Sequence, residues 1–188
     1  MTIALLSSKG GSGKTSMACC LALYWADKGR KVGLIDMEEE GATDYFRTTV
    51  QHPNIIDGQT DEPHDITLID TPAGATKDDL REFAQLADLC LVPCIPSAAA
   101  DFAKTFQTIR DIGDTTGIRI VFNRVKPRTR VWGEREEIAA ELGTRPLANF
   151  LCDRQPYAYA TSEGSSAFNW KCRGELADLA KEIESLIQ

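Results

Sequence analysis

The sequence predicts an α/β fold: a doubly wound, mostly parallel sheet with helices on both faces. Two observations carry it. Short apolar runs alternate with helix-patterned stretches along the chain, and repeated strand–helix alternation calls for right-handed crossovers between parallel strands. Most of the runs are also apolar at nearly every position, as strands covered on both faces must be.

The elements follow in order. Thr2–Ser7 reads as the first strand and Lys14–Lys28 as the first helix, with a glycine-rich stretch between them. Lys31–Asp36 is a second strand and Thr43–Val50 a second helix. The segment 51–64 is polar and carries Pro53, Gly58 and Pro63, so it reads as a surface excursion. Asp65–Asp70, Leu89–Cys94, Ile118–Asn123 and Leu147–Leu151 complete the strands. Lys77–Ala87, Ala99–Ile112 and Trp132–Leu142 are the helices between them. Gly174–Gln188 closes the chain as a helix, with Leu176, Leu179, Ala180, Ile183, Leu186 and Ile187 on one stripe.

At 188 residues, 43% hydrophobic and 26% charged, the chain has the composition of one ordinary globular domain, residues 1–188, with no low-complexity linker. The start lacks a basic region ahead of a long apolar stretch, which argues against a secretory signal and for a cytoplasmic protein. The longest apolar run, 17–26, is about half of the ~20 residues that span a bilayer. Six cysteines, Cys19, Cys20, Cys90, Cys94, Cys152 and Cys172, form no CxxC pair and sit mostly among apolar neighbours, the setting of reduced, buried thiols.

Chemistry concentrates in the stretch Ser7–Ser16, SSKGGSGKTS. It lies between the first strand and the first helix, where doubly wound sheets bind ligands. Gly10, Gly11 and Gly13 remove side chains so that backbone N–H groups, with those of Ser12 and Ser16, can close around phosphate oxygens at a helix amino terminus. Lys14 is placed to reach β- and γ-phosphates, and the Thr15 hydroxyl to ligate Mg2+. The standard pattern G-x-x-x-x-G-K-[ST] fails at one point: Ser8 stands where its first glycine belongs, and Lys9 follows.

The variant K-G-G-x-G-K-[ST] in this context resembles the deviant Walker A loop of the ParA/MinD superfamily of P-loop ATPases, most closely its small ParA-type members. Four further blocks resemble that family in order: VGLIDMEEEGAT its acidic strand end, ITLIDTPAG its Walker B strand, CLVPCIPSAAADF the next strand and Pro-Ser turn, and VFNRV the strand facing the adenine. DRQPYAYATSEGSSAF and RGELADLAKEIESLI resemble its closing region. The resemblance implies that Lys14 contacts phosphates, that Thr15 and, through a water, Asp70 hold Mg2+, and that Asn123 and Arg124 lie at the base. It implies that Lys9 crosses a homodimer interface to the partner's ATP, so that ATP binding drives dimerisation. Asp36 matches the first acid of the family's D-x-D, while Glu38 replaces the second, which positions the attacking water. Glu39 and Glu40 replace the usual Pro-Gln.

The net charge is −7, yet residues 119–173 hold ten basic and six acidic side chains. Lys126, Arg128, Arg130, Arg154, Lys171 and Arg173 form a candidate surface for non-specific double-stranded DNA. The closing helix carries Glu175, Asp178, Glu182 and Glu184 on its polar face, which argues against a membrane-bound MinD-like cycle. The resemblance implies a slow ATPase stimulated by a cargo-bound or centromere-bound protein, associated with the nucleoid, that partitions DNA or positions another cargo. The alternative keeps the nucleotide switch but acts through a protein partner without DNA.

Overall fold

The computed structural model describes residues 1–8, 10–38, 41–113, 117–140 and 144–187. Six parallel strands form one sheet: β1 (Thr2–Leu5), β2 (Val32–Asp36), β3 (Ile55–Asp57), β4 (Ile66–Asp70), β5 (Leu89–Cys94) and β6 (Ile118–Phe122). Their spatial order is β3-β2-β4-β1-β5-β6: the chain passes from β1 to β2 and out to β3, returns to lay β4 between β2 and β1, and then continues on the other side of β1 through β5 to β6. The register sets Leu5 beside Asp70, and Asp70 beside Asp36. Both acids therefore end strands at the edge where the loop after β1 emerges.

Side chains alternate between two cores, as a period of two requires. On one face Ile3, Leu5, Leu34, Leu68, Leu91 and Val121 meet α1 (Lys14–Asp27), α2 (Ala42–Val50), α7 (Gln155–Glu163) and α8 (Trp170–Ile187). On the other, Ala4, Leu6, Ile69, Cys90, Val92 and Phe122 meet α3 (Lys77–Gln85), α4 (Ala99–Ile112) and α5 (Arg130–Gly133). Helix α6 (Arg135–Ala140) follows α5. α1 is buried almost all round, from Met17 to Leu23, because other helices cover the side that the sheet leaves open. Edge-on aromatic pairs, Phe102–Phe122, Phe122–Trp132 and Trp132–Phe150, tie α5 to the sheet.

Four expectations change. Segment 51–64 contains β3, an edge strand of three residues whose pairing with β2 no local pattern announces. Residues 147–151 do not form a strand. They follow β6 through Leu147 N–H to Ile120 O and Leu151 N–H to Phe122 O, but Pro146 has no N–H to give. The Ala148 and Asn149 N–H groups turn away to the Glu182 carboxylate, at 2.7 and 2.8 Å. Helix α8 begins at Trp170, four residues before the expected Gly174, because Asn169 Oδ1 caps the Lys171 and Cys172 N–H groups, both at 3.0 Å. The expected helix Trp132–Leu142 is divided into α5 and α6, and Leu142 lies outside the described residues. Five cysteines are buried and Cys152 is partly exposed. Burial pushes the Cys90 thiol up to about 11, which keeps it protonated.

Two glycines should respond oppositely to alanine. A Cβ on Gly33 would stand 2.7 Å from His64 Nε2 and 2.9 Å from the Gly58 Cα, whereas one on Gly174 meets nothing within 4 Å. Gly33→Ala should destabilise by about 1–3 kcal/mol through overpacking. Gly174→Ala, inside α8, should stabilise by roughly 0.5–1 kcal/mol. Urea denaturation midpoints check both signs.

Candidate functional site

The loop after β1 enters α1 through Gly13, at φ 92°, a left-handed conformation that glycine alone adopts without strain. Its missing side chain also makes room for Asn123, whose Nδ2 would lie 2.2 Å from a Cβ there. Asn123, buried at the end of β6, donates from that amide to Ser12 O at 3.1 Å. Its side-chain oxygen accepts from Arg124 N–H at 2.9 Å. Asn123 thus braces the loop from behind. Arg124 is exposed, sits at φ 50°, and lines the cavity in front.

That cavity holds about 230 Å³ and is lined by Gly11–Ser16, Asp36, Glu38, Ala42, Asp70, Thr71, Ala73 and Arg124. Lys14 is 6% exposed and donates from Nζ to Ser7 O at 3.4 Å. Burial holds its pKa below the ordinary lysine value, while Asp70 and Glu38 act in the opposite direction. Asp70 is 4% exposed and hydrogen-bonded to the Thr15 side chain. Burial pushes its carboxyl up to about 6, with Thr15 and Lys14 resisting and Asp36 and Glu38 adding to the rise. Among the described residues no donor meets Asp70 Oδ1 or Ser12 Oγ. A buried carboxylate oxygen without a donor, beside a threonine hydroxyl and at the mouth of a glycine-rich loop, suits an oxygen-seeking Mg2+.

The acids after β2 divide their tasks. Asp36 accepts from Glu38 N–H at 3.0 Å, from Thr43 N–H at 2.9 Å and from the Thr43 hydroxyl. It fills the space of a side chain at Gly41, where a Cβ would fall 2.1 Å from Oδ2. Its carboxylate is therefore committed to starting α2, a role the D-x-D comparison did not reveal. Glu38 is exposed and accepts from Ala73 N–H at 2.9 Å, joining the loops after β2 and β4 across the cavity. Thr71 anchors the second of those loops by donating to Leu5 O at 2.6 Å. Lys9, Glu39 and Glu40 lie outside the described residues. Thr43, Thr71 and Ala73 were missed because their contacts join segments far apart in sequence; only Gly41, following an acidic strand end, left a local trace.

The basic residues gather only in part. Lys126, Arg128 and Arg154 line one recess of about 400 Å³ with Val125, Pro127, Cys152 and Asp153. Arg154, one of the candidate DNA contacts, is held by an acidic neighbour. Its Nη2 and Nε donate to Glu175 Oε1 at 2.6 and 3.0 Å, and Glu175 also accepts from the Tyr157 hydroxyl and Cys152 N–H. Arg173 leans on Asp27 at 3.8 Å and donates to Ser165 O. Lys126 pairs with Asp153 and Arg130 with Glu134, all four at least 43% exposed, while Lys171 covers the Trp170 ring at 5.3 Å. Arg128 is exposed and has no charged partner among the described residues. No described helix is long and apolar enough to cross a membrane.

Over residues 3–167 the sequence matches the family described as CobQ/CobB/MinD/ParA nucleotide binding domain. It is 27% identical to the maintenance of carboxysome distribution protein A of Halothiobacillus neapolitanus, over 99% of this chain and 94% of that protein. The protein of the same name from Gloeobacter kilaueensis is also 27% identical, with 98% and 93% covered. The fold superposes on MinD of Aquifex aeolicus with a TM-score of 0.76 at 18% identity, covering 98% and 96%. On a putative plasmid partition protein of Borrelia burgdorferi bound to AMPPNP the TM-score is 0.73 at 17% identity, covering 98% of each.

The raised Asp70 pKa gives a signed prediction for the nucleotide-free protein. With a folded pKa of about 6 above the ordinary 3.8, the ionised carboxylate opposes folding. That penalty is absent below pH 4, grows as pH rises to 6, and reaches about 3 kcal/mol above it. Asp70→Asn should therefore raise the melting temperature at pH 7 by several degrees, and the gain should vanish towards pH 4. Thermal denaturation of both proteins across that range reads it.

Proposed function

The chain belongs to the CobQ/CobB/MinD/ParA nucleotide-binding family, and from that premise we propose that it is a Mg2+-dependent ATP hydrolase, one domain over 1–188, whose ATP-bound dimer positions a cargo along DNA. The observation that supports this most is the convergence of Lys14, Thr15 and Asp70 on one cavity at the carboxyl ends of β1 and β4. The full-length likeness to two carboxysome-distribution proteins favours positioning as the output.

In this reading the loop N–H groups and the Lys14 ammonium grip the phosphates, while the Thr15 hydroxyl and Asp70 hold Mg2+. The bound ion supplies positive charge where negative charge collects on the phosphate oxygens as the terminal phosphoryl group leaves. The Glu38 carboxylate, across the cavity from the loop, is the group placed to orient the attacking water. Its extra methylene and its bond to Ala73 N–H make that water less accurately held, so the unstimulated rate is slow. Lys9 reaches the partner's nucleotide, which makes ATP the condition for dimerisation. DNA then meets the surface around Lys126, Arg128, Arg130 and Lys171, doubled in the dimer, and a cargo-bound protein stimulates hydrolysis and release.

A second reading keeps the switch and removes DNA. The ion pairs at Lys126, Arg130 and Arg154 favour it, because they neutralise charge that phosphates would otherwise attract. Fluorescence anisotropy on random-sequence duplexes separates the two. In the first reading binding needs ATP, its logarithm falls linearly with log salt by about 0.9 per phosphate neutralised, and Arg128→Glu with Arg130→Glu weakens it on every sequence. No binding by the ATP-bound protein at low salt selects the second.

The two lysines should separate by measurement. Lys14→Ala should abolish ATP binding in calorimetry, since it removes the phosphate contact within the protomer. Lys9→Ala should bind ATP with affinity near that of the native chain yet remain monomeric in light scattering. A Lys9→Ala protein that dimerises with ATP contradicts the contact across the interface.

A further inference from the structure

Ser8 occupies the position that a standard phosphate-binding loop gives to its first glycine, and the structure shows what this side chain does there. Thr108, in the third turn of α4, is fully buried, and its hydroxyl meets the loop. Thr108 Oγ1 donates to Lys104 O at 3.1 Å, the helical carbonyl one turn back. It accepts from Ser8 N–H at 3.2 Å and shares a hydrogen bond with the Ser8 hydroxyl at 3.0 Å, in which the Ser8 hydroxyl donates when the Thr108 proton goes to Lys104 O. One donor and two lone pairs are the full capacity of a hydroxyl. Ser8 is thus gripped by backbone and side chain together, immediately before Lys9 and two residues before the first loop glycine.

We propose that Thr108 is a positioning residue for the phosphate-binding loop, fixing through Ser8 the direction in which the chain leaves β1 for the glycine-rich segment. A glycine at position 8 has no hydroxyl and more backbone freedom, so the direction of the loop would be set by the ligand on binding. With Ser8 held to α4 the loop is arranged beforehand, and the ordering cost of binding phosphate falls. The same contact makes α4 part of the nucleotide site, since a shift of this helix moves the start of the loop. Helices α3 and α4 pack together, and α4 also lies on β5 and, through Phe102 and Phe122, on β6. This rests on the nucleotide-site reading of residues 10–16.

Thr108→Val keeps shape and removes the hydroxyl, Thr108→Ser restores it, and Ser8→Ala removes only one of the two bonds. Calorimetry with Mg2+ and ATP should show about tenfold weaker binding for Thr108→Val. Thr108→Ser should stay within about twofold of the native chain, and Ser8→Ala should fall between them. The double variant Ser8→Ala with Thr108→Val should be no weaker than Thr108→Val alone, because both changes act through one junction. Hydrogen exchange in the nucleotide-free protein gives a readout that general destabilisation would not produce. The Ser8 amide should exchange faster in Thr108→Val, while the Leu6 amide, bonded to Leu91 O, keeps its native rate. Equal ATP affinity in Thr108→Val and the native chain overturns the proposal, as does Thr108→Ser binding as weakly as Thr108→Val. If Thr108→Val fails to fold, native ATP affinity in Ser8→Ala overturns it. A native chain that binds no ATP removes the nucleotide site itself, a failure distinct from equal affinities.

Discussion

The Lys14 ammonium and the Asp70 carboxyl are buried side by side where the strands of a parallel sheet end, and much of the surrounding structure follows from that placement. Neither charge is well served by protein groups alone. Lys14 has a long bond to Ser7 O and the field of nearby acids; Asp70 has Thr15 on one side and no described donor on Oδ1. Burial without full compensation lowers one pKa and raises the other, the expected signs for groups that await a ligand. A polyanion with a divalent cation satisfies both at once, because phosphates take the ammonium while the metal takes the carboxylate.

The sheet makes this arrangement possible. All six strands run the same way, so Leu5, Asp36 and Asp70 reach one edge in adjacent register, and the loops that follow face one another. Around that edge short polar contacts hold each loop in place: Asn123 behind the phosphate loop, Thr71 on Leu5 O, and Asp36 on the start of α2. Glu38 bridges the last two loops from the exposed side. A ligand bound between them would therefore touch α1, α2 and the loop after β4 together.

What the sequence disclosed and what it withheld divide along the range of the interaction. Strand and helix order, the loop, and Asp70 at a strand end are local features, visible in periodicity and in short motifs. The three-residue β3 was hidden inside a polar segment because its stability comes from pairing with β2 and not from its own pattern. Residues 147–151 have a strand's composition, yet Glu182, more than thirty residues away, draws off two of their N–H groups. Basic residues were countable, but Glu175 beside Arg154 was not foreseeable, and charge arithmetic treats a paired arginine as a free one. Asp36 was read from a motif, while its hold on the start of α2 through Thr43, in the space that Gly41 leaves, is visible only in three dimensions.

The uncompensated pair of Lys14 and Asp70 fits a nucleotide and its metal acting together. The most direct measurement is the melting temperature of the native chain in increasing ATP, with Mg2+ and with a chelator. The melting temperature should rise with the logarithm of ATP concentration in Mg2+, with about 2.7 kcal/mol of stabilisation when ATP reaches a hundredfold its dissociation constant, and rise much less under chelation. A melting temperature that does not move with ATP, or that moves equally with and without Mg2+, contradicts it.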